Sequence, residues 1–276
     1  MSKSLHRALM GSCAAILAAS LAACGSGSAA APATTSAPPP AQHYYLMVFT
    51  DVAAGDDTAF TQCFTSQRVP AARSLPGFVS VQQFALNVPQ MFDVTVAMPK
   101  YLALYEFATA DLNATMTAFR GTAGPASVGG CPADAAKADS YVYRFSAPLQ
   151  NRTTPDPQVP AGGTRTDYTQ VVFTVPAPTA GDKFENWYMT VHMPEVLARP
   201  GYTQAQRVAL VDGQNHGPVP PTATAAVFRL DLPQDTPVTI ASVSTGTVPN
   251  PGLTAQMLDP NLNRGYTYRA LAPAAH

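Results

Sequence analysis

One histidine in the second half of the chain has neighbours from which a binding or acid–base site can be built. His192 lies four residues after Tyr188 and two residues before Pro194. Helical backbone is disfavoured at the residue before a proline, so we expect the helix to fray at His192–Met193. We expect this fraying to turn the imidazole towards the open end of the fold. Imidazole titrates near neutral pH, which suits general acid–base chemistry or hydrogen bonding to a carbonyl or phenol.

Aromatic residues near His192 can form the walls of such a site. Trp187, Tyr188 and Tyr202 offer apolar rings with polar tips. Arg207, on a strand, can bind a carboxylate if its side chain points inward, and an edge or outward position is the alternative. For His192 itself, the alternative is a structural group at a helix end that bonds a backbone carbonyl. The residues leave open whether this protein is an enzyme.

The cysteines allow one disulfide bond, and the cysteines and histidines together predict no metal site. Cys63 and Cys131 form an even pair that can become a disulfide in an oxidising compartment. The alternative is one buried helix cysteine and one loop cysteine. The chain has no CxxC motif and no second histidine grouped with His192, so we predict no metal site and no cofactor.

The N-terminal segment is organised like a bacterial export signal. Lys3 and Arg7 precede an uncharged apolar run over residues 8–23, which is short for a membrane span. The string Leu-Ala-Ala-Cys that ends at Cys24 resembles a lipobox, which implies cleavage before Cys24 and attachment of lipid, such as palmitate, to its sulfur. An ordinary signal peptide with an incidental Cys24 is the alternative.

The residues after the cysteine predict a tether and an envelope location. Residues 24–42 are mostly Gly, Ser, Ala, Thr and Pro, a composition typical of a flexible, semi-extended linker. Gly25 follows the cysteine, at the position where the sorting rule for such lipoproteins looks for Asp. The absence of Asp there favours the periplasmic face of the outer membrane in a cell that has one. We therefore expect a membrane partner through the lipidated Cys24.

The composition argues against nucleic acid as a partner. Charged residues make up only 12% of the chain, and its formal net charge is −1. Two of the 16 basic residues lie in the leader, so the exported chain carries a small net negative charge. A chain without basic patches lacks the electrostatic footprint of a nucleic-acid-binding protein.

The chain repeats itself. Residues 44–86 align without a gap on residues 168–210, as the string Pro-Gly followed by Phe78 in one copy and by Tyr202 in the other illustrates. A duplication of this length predicts two copies of one structural unit. We place the first repeat at residues 43–147, a linker at 148–166 and the second repeat at 167–271.

Each copy predicts the same order of elements. A strand rich in aromatic and β-branched residues comes first, followed by a helix whose apolar residues recur at i, i+3, i+4 and i+7. Pro70 and Pro194 are expected to end these helices, and a Pro-Gly turn leads into the next strand. The order βαββαβ is the ferredoxin-like unit, an α+β fold. Two such sheets can cover each other, so we predict an eight-stranded, largely antiparallel barrel in a monomer, with the helices outside.

At this point the chain resembles a known architecture. Most of residues 43–271 is similar to a fused pair of dimeric α/β-barrel domains. The string W-Y-x-x-x-H-x-P followed by P-G-Y, between Phe184 and Tyr202, resembles the ethyl tert-butyl ether degradation (EthD-like) group. The resemblance implies that His192 lines a cavity for a small, mostly apolar or aromatic molecule, with cofactor-independent acid–base chemistry. A non-catalytic structural envelope lipoprotein and a barrel that binds haem through His192 remain alternatives.

The first copy lacks this motif. Arg68 stands at the position that matches His192, and Cys63 and Phe64 stand where the second copy has Trp187 and Tyr188. One interpretation is a degenerate scaffold in which Arg68 is a solvated surface charge, and this is the one we expect. The other is a second, unlike pocket in which Arg68 binds an acidic ligand.

Overall fold

The structure of this protein is a computed structural model. The residues it describes are 39–90, 97–123, 131, 134–156, 163–212, 222–234, 236, 238, 254, 256–259 and 262–276. The predicted signal peptide, Cys24 and most of the predicted tether lie outside the described residues.

Nine strands are present in the described part of the chain. They are β1 Gln42–Asp51, β2 Phe78–Leu86, β3 Tyr101–Thr109, β4 Asp134–Phe145, β5 Gln150–Asn151, β6 Arg165–Thr174, β7 Tyr202–Leu210, β8 Thr224–Pro233 and β9 Arg264–Ala270. All eight strands predicted from aromatic and β-branched runs are among them. The additional short strand β5 lies inside the predicted linker.

Helices follow the first strand of each half. In the first half they are α1 Asp57–Cys63, a first π turn Phe64–Arg68, α2 Val69–Arg73 and, after β3, α3 Leu112–Ala123. In the second half they are α4 Lys183–Trp187, a second π turn Tyr188–His192 and α5 Met193–Leu197. Within the described ranges, none of the helices has the length and apolar character needed to cross a membrane.

Eight of the strands close into a barrel. They are hydrogen-bonded in the order β4-β1-β3-β2-β9-β6-β8-β7, and β4 pairs with β7 to close the ring. Every recorded pairing is antiparallel, including the two seams where the halves meet, Phe84 opposite Ala270 and Tyr143 opposite Leu210. The prediction of a closed eight-stranded antiparallel barrel is therefore confirmed. Strand β5 adds to the other end of β7, at Gln204 and Ala205.

The barrel interior is a packed core to which both halves contribute. It contains large aromatic side chains that are almost fully buried, among them Phe49, Phe84, Tyr141, Phe173 and Tyr268. Side chains from strands of both halves fill the interior and exclude water, so this core joins the halves into one barrel.

Two further cores lie between the sheet and the helices. In the first layer, α1, the first π turn, α2 and α3 pack on the outer face of β1–β4, with Phe64, Tyr105 and Phe119 buried there. In the second layer, α4, the second π turn and α5 pack on β6–β8 around Phe184 and Trp187. The predicted ligand-binding residues Trp187, Tyr188 and Tyr202 belong to this second layer.

The prolines do not end the first helix of each half, contrary to the prediction. Helical backbone continues through Pro70 into α2 and through Pro194 into α5. A π turn precedes each proline closely, and the N–H of Met193 bonds the carbonyl of Tyr188 five residues back. The π turn shifts the backbone hydrogen bonds from i→i−4 to i→i−5. The helix can therefore continue although proline has no N–H and its ring would clash with a regular preceding turn.

The Pro-Gly turns require glycine. Gly77 and Gly201 have φ angles of +72° and +79°, which side-chain-bearing residues rarely adopt. A Cβ atom on Gly77 would lie 2.5 Å from the Ala108 carbonyl oxygen, and one on Gly201 would collide with Leu232. The turn therefore brings the helix end against the sheet in both halves.

Candidate functional site

His192 is the last residue of the second π turn and packs in the second layer. Its ring stacks on Trp187 with centroids 5.0 Å apart and lies 5.0 Å from the Tyr188 ring. The helix does not fray here, so the expected break at His192–Met193 is wrong. The unbroken helix instead directs this half-buried side chain onto the aromatic residues one turn earlier.

Two polar atoms beside the imidazole are buried without a hydrogen-bond partner. Within the described part of the chain, neither Trp187 Nε1 nor Tyr188 Oη has one. Buried donors in native proteins nearly always have a partner, and each exception needs an explanation such as a bound molecule or water. Trp187, Tyr188 and His192 therefore form a group of polar tips within an apolar layer.

The protonation states follow from burial. Desolvation, assisted by the charges of Arg199 and Arg207, lowers the pKa of His192 from 6.5 to about 4. Burial raises the pKa of Tyr188 to about 12, against the opposing effect of Arg207. Near neutral pH the site therefore presents a neutral imidazole, a phenol O–H and an indole N–H, which suits a ligand with acceptor oxygens.

Arg207 lies in the same layer with its donors directed at protein atoms. Its Nη2 and Nε donate to the carboxylate of Glu185 at 2.6 and 3.0 Å, and further bonds of 2.8 Å reach the hydroxyls of Thr174 and Thr224. The guanidinium carbon lies 4.1 Å from the Tyr188 ring centroid, a cation–π contact. Arg207 thus supports Tyr188 from the sheet side, and direct contact with a ligand stays a prediction.

Tyr202 lies deeper in the second layer. It is buried, its hydroxyl donates to Gln170 Oε1 at 3.0 Å, and its ring meets Phe228 edge to face. Since its hydroxyl already has a partner, this predicted wall residue offers its ring rather than its polar tip. The structure places it in one apolar cluster with Trp187 and Tyr188.

The two cysteines of the first half are joined. Cys63, the last residue of α1, forms a disulfide with Cys131, with their Cα atoms 5.5 Å apart. Cys131 is buried beside Phe60 and Tyr101. The structure thus corresponds to the paired alternative rather than to two separate thiols.

Arg68 corrects our expectation of a solvated surface charge. Only 4% of it is exposed, and it lines a cavity of about 20 Å³ in the first layer together with Gln83 and several aromatic rings. Its position at the end of the first π turn matches that of His192 in the second. Because arginine is usually exposed to solvent, the residue type did not predict this burial, but the alignment of Arg68 with His192 marked the position as a candidate.

An open groove of about 470 Å³ lies at one end of the barrel. It contains Arg229, which donates to Gln82 Oε1 at 2.9 Å, and the acids Glu106, Asp167 and Asp231. Burial and the nearby Asp231 raise the pKa of Asp167. Both charge signs meet in this groove, so it selects no class of ligand by charge. In the described ranges, no group of three His, Cys, Asp or Glu side chains could hold a metal ion.

Comparison with known proteins identifies the fold and no family. No protein-family model matches this chain, and no curated protein does. Among solved structures, an anthrone oxidase-like protein superposes with a TM-score of 0.52 at 10% identity, covering 85% of this chain and 92% of that one. A proposed monooxygenase from Fusobacterium nucleatum gives a TM-score of 0.53 at 9% identity, covering 84% of this chain and 94% of that one. At these identities the similarity shows a shared fold, so the activity must be argued from the residues of this chain.

Proposed function

We propose that this protein is a lipid-anchored envelope protein that binds a small, mostly apolar aromatic molecule in its second layer. His192 orients the molecule, and Trp187, Tyr188 and Tyr202 surround it. The observation that carries the proposal is the pair of buried donors without partners, Trp187 Nε1 and Tyr188 Oη, beside a half-buried imidazole. A ligand with carbonyl or phenol oxygens gives both donors an acceptor.

The chemistry of His192 favours orientation over proton abstraction. A general base works best with a pKa near the working pH, and the pKa of His192 is about 4 in the unliganded protein. A neutral imidazole can still donate or accept one hydrogen bond at each nitrogen. Acid–base chemistry requires that a bound substrate raise this pKa, which an anionic oxygen beside the ring does.

The chemical class of the ligand follows from the layer. Aromatic side chains offer flat apolar faces, and two neutral donors offer few but specific polar contacts, the usual composition of a small-molecule site. One structurally similar protein, the anthrone oxidase-like protein, is named after anthrone, an aromatic ketone. Anthrone therefore belongs in a test panel with naphthoquinones, phenols and haemin.

The arrangement of elements supports an origin from two tandem ferredoxin-like repeats. The first half contributes β4-β1-β3-β2 and the second β9-β6-β8-β7 to the barrel, so each set of four has the same internal order. A π turn before a proline occurs at the same place in both. The second crossover helix predicted after β8 lies largely outside the described residues.

The anchor is tested through Cys24. In cells fed a palmitate analogue, the wild-type chain should carry the label and fractionate with membranes, whereas Cys24→Ala should lose both properties. An unlabelled wild-type chain would favour the ordinary signal peptide and leave the binding proposal intact.

The binding proposal is tested by fluorescence of Trp187, the only tryptophan of the chain. We expect saturable quenching by at least one aromatic carbonyl compound in the detergent-solubilised full chain. His192→Ala and Tyr188→Phe should weaken affinity by about tenfold, the effect of one lost hydrogen bond of about 1.4 kcal/mol. The exposed His43→Ala is the matched control and should bind like wild type.

Three other outcomes decide against the proposal. A folded protein that responds to no compound supports a structural envelope role, to which the packed barrel interior is suited. Equal quenching in all four proteins places binding elsewhere. A Soret band with haemin that disappears in His192→Ala supports haem binding instead.

A further inference from the structure

The groove at the mouth of the barrel is lined by other residues than the proposed site. Its volume of about 470 Å³ lies within the range of small-molecule sites, about 300–1,000 Å³. Tyr45 of its lining belongs to the barrel core, and Arg229 lies two residues beyond Val227 of that core on β8. Strand alternation places such residues on the inner face of the barrel. A ligand that enters from this end therefore meets strands of both halves.

Two charged side chains of this groove, Arg229 and Asp167, form no ion pair among the residues that the structure describes. Arg229 is half-buried, and its Nη1 donates to the neutral Oε1 of Gln82 at 2.9 Å. Its guanidinium carbon lies 5.2 Å from the ring centroid of Phe84. Gln82 is itself fixed, because its Nε2 donates to the Ala272 carbonyl at 2.9 Å. The guanidinium is thus held against β2, and a guanidinium has further N–H donors for a ligand.

The first half shows how close side chains at these two positions can come. Asp167 of β6 is opposite Asp231 of β8, and Arg229 lies two residues before Asp231, so Asp167 and Arg229 occupy a diagonal. The matching diagonal of β1 and β3 holds His43 and Glu106, which share a hydrogen bond of 2.9 Å. Diagonal neighbours are about 7–8 Å apart, within reach of long side chains. In the second half the two opposite charges are not bonded to each other, so a ligand can bridge them.

The register of the strands also favours a cation at Asp167. Asp231 lies directly opposite, so two carboxylates line the groove side by side. Like charges directly opposite each other destabilise a strand pair. Arg165 Nε donates to Asp231 at 2.6 Å and balances that carboxylate alone. An ammonium group beside Asp167 therefore relieves the remaining repulsion, while a carboxylate on the same molecule is attracted by Arg229.

Another part of the groove is apolar. The rings of Tyr45 and Phe145 lie there with centroids 4.6 Å apart. Leu149 lines the same groove and is 44% exposed, which is unusual for a large apolar residue of this protein. Covering such a residue with an apolar group removes both surfaces from water. The groove thus combines two opposite charges with an apolar contact surface.

We propose that the barrel-mouth groove binds a free α-amino acid with an apolar side chain, such as phenylalanine or leucine. Asp167 binds the ammonium group, Arg229 binds the carboxylate, and Tyr45, Phe145 and Leu149 contact the side chain. Neither charge sign prevails in this groove, so net charge selects nothing, and selectivity arises from the separate positions of the two charges. A molecule that carries only one of the two charged groups therefore binds more weakly.

The test is calorimetric titration of the detergent-solubilised full chain with three compounds that share a phenyl ring. L-phenylalanine carries both charges, 3-phenylpropionate lacks the ammonium group, and 2-phenylethylamine lacks the carboxylate. We expect saturable binding of phenylalanine near neutral pH. Each analogue should bind at least about tenfold more weakly, because each loses one charge-assisted contact.

Matched variants assign each charged group to its partner. Asp167→Asn should weaken the binding of phenylalanine and 2-phenylethylamine by about tenfold or more and leave that of 3-phenylpropionate unchanged. Arg229→Gln should weaken phenylalanine and 3-phenylpropionate and leave 2-phenylethylamine unchanged. Asp182→Asn and Arg73→Gln change exposed residues of the same types outside the groove, and both should bind all three compounds like wild type.

Three results would overturn the proposal. The first is that phenylalanine fails to bind the wild type, or binds it no more tightly than either analogue. The second is equal phenylalanine affinity in wild type, Asp167→Asn and Arg229→Gln. The third is loss of phenylalanine binding in His192→Ala, which would place the compound in the second layer. The first comparison needs only the wild type, so a variant that does not fold leaves it intact. Because calorimetry does not use Trp187 fluorescence, failure here leaves the second-layer proposal standing.

Discussion

The two π turns end on side chains whose surroundings determine their chemistry. His192 is held neutral by burial and by two arginines, whereas Arg68 is buried beside a small cavity that Gln83 and Tyr105 also line. Arg207 and Gln83 occupy the same position, the sixth residue, on the strands β7 and β2 beneath these two turns. The two layers therefore share the same backbone arrangement but place different functional groups, an imidazole and a guanidinium, at the end of the π turn.

The pKa of His192 makes stability depend on pH. Between pH 6.5 and pH 4 the unfolded chain binds a proton at this residue and the native chain does not. The contribution of His192 to the free energy of unfolding is therefore fully present above pH 6.5. It decreases as the pH falls, and at pH 5 the loss is about 2 kcal/mol. Urea unfolding at pH 7 and pH 5 should show this loss in wild type and a smaller one in His192→Gln. Equal losses in both proteins would contradict the buried, neutral imidazole.

The Arg207–Glu185 pair gives an asymmetric prediction. The Arg207 side chain is 1% exposed and that of Glu185 is 51% exposed. Glu185→Gln leaves the buried guanidinium without its counter-charge, so we expect a loss of roughly 3 kcal/mol in the free energy of unfolding. Arg207→Met combined with Glu185→Gln should recover most of that loss, because the charge is removed with its partner. Asp182→Asn, an exposed neighbour, is the control, and a double variant less stable than Glu185→Gln would refute the argument.

The sequence predicted some of these residues and could not predict others. Helical spacing brings Trp187, Tyr188 and His192 together, so their contact follows from local structure. The burial of Arg68 depends on strands far away in the chain, and arginine is ordinarily solvated. The bond between Glu185 and Arg207 likewise depends on how α4 lies across β7, which periodicity does not specify.

At the level of elements, the strands were predictable and the helix ends were not. Aromatic and β-branched runs specify strands through alternation and turn residues. Proline was expected to end each helix, and the five-residue π turns Phe64–Arg68 and Tyr188–His192 were not predicted. Such a turn has no simple sequence pattern, because its formation depends on packing against the sheet.

The Pro-Gly turn of the second half predicts the cost of adding one methyl group. Gly201→Ala introduces both an unfavourable φ and a collision with Leu232, so we expect a loss of about 2–4 kcal/mol in the free energy of unfolding. Gly181→Ala is the matched control, since Gly181 also has a positive φ of +50° but open space around it. Its loss should stay near 1 kcal/mol, the cost of backbone strain alone. Similar losses in urea unfolding would show that the close contact contributes nothing.

At the scale of the whole molecule, the shared barrel core couples the two halves. Phe173 of β6 is 1% exposed and has ring contacts to Phe49 and Tyr143 of the first half, at 6.4 Å in each case. The two seams add hydrogen bonds between the halves. Neither half can expose this core to water without losing a large apolar surface, so we expect one cooperative unfolding transition.

Phe173→Ala tests this coupling. Removing a buried aromatic ring from a packed core costs about 3–5 kcal/mol. If the barrel unfolds as one unit, amide exchange in β1 and in β6 should accelerate by the same factor in the variant. Phe228→Ala, a ring of the second layer that is 2% exposed, is the control for a loss of similar size outside the shared core. It too should accelerate both strands equally. Acceleration confined to β6 in either variant would mean that the first half keeps its own stability, so that the seams join two separate folding units.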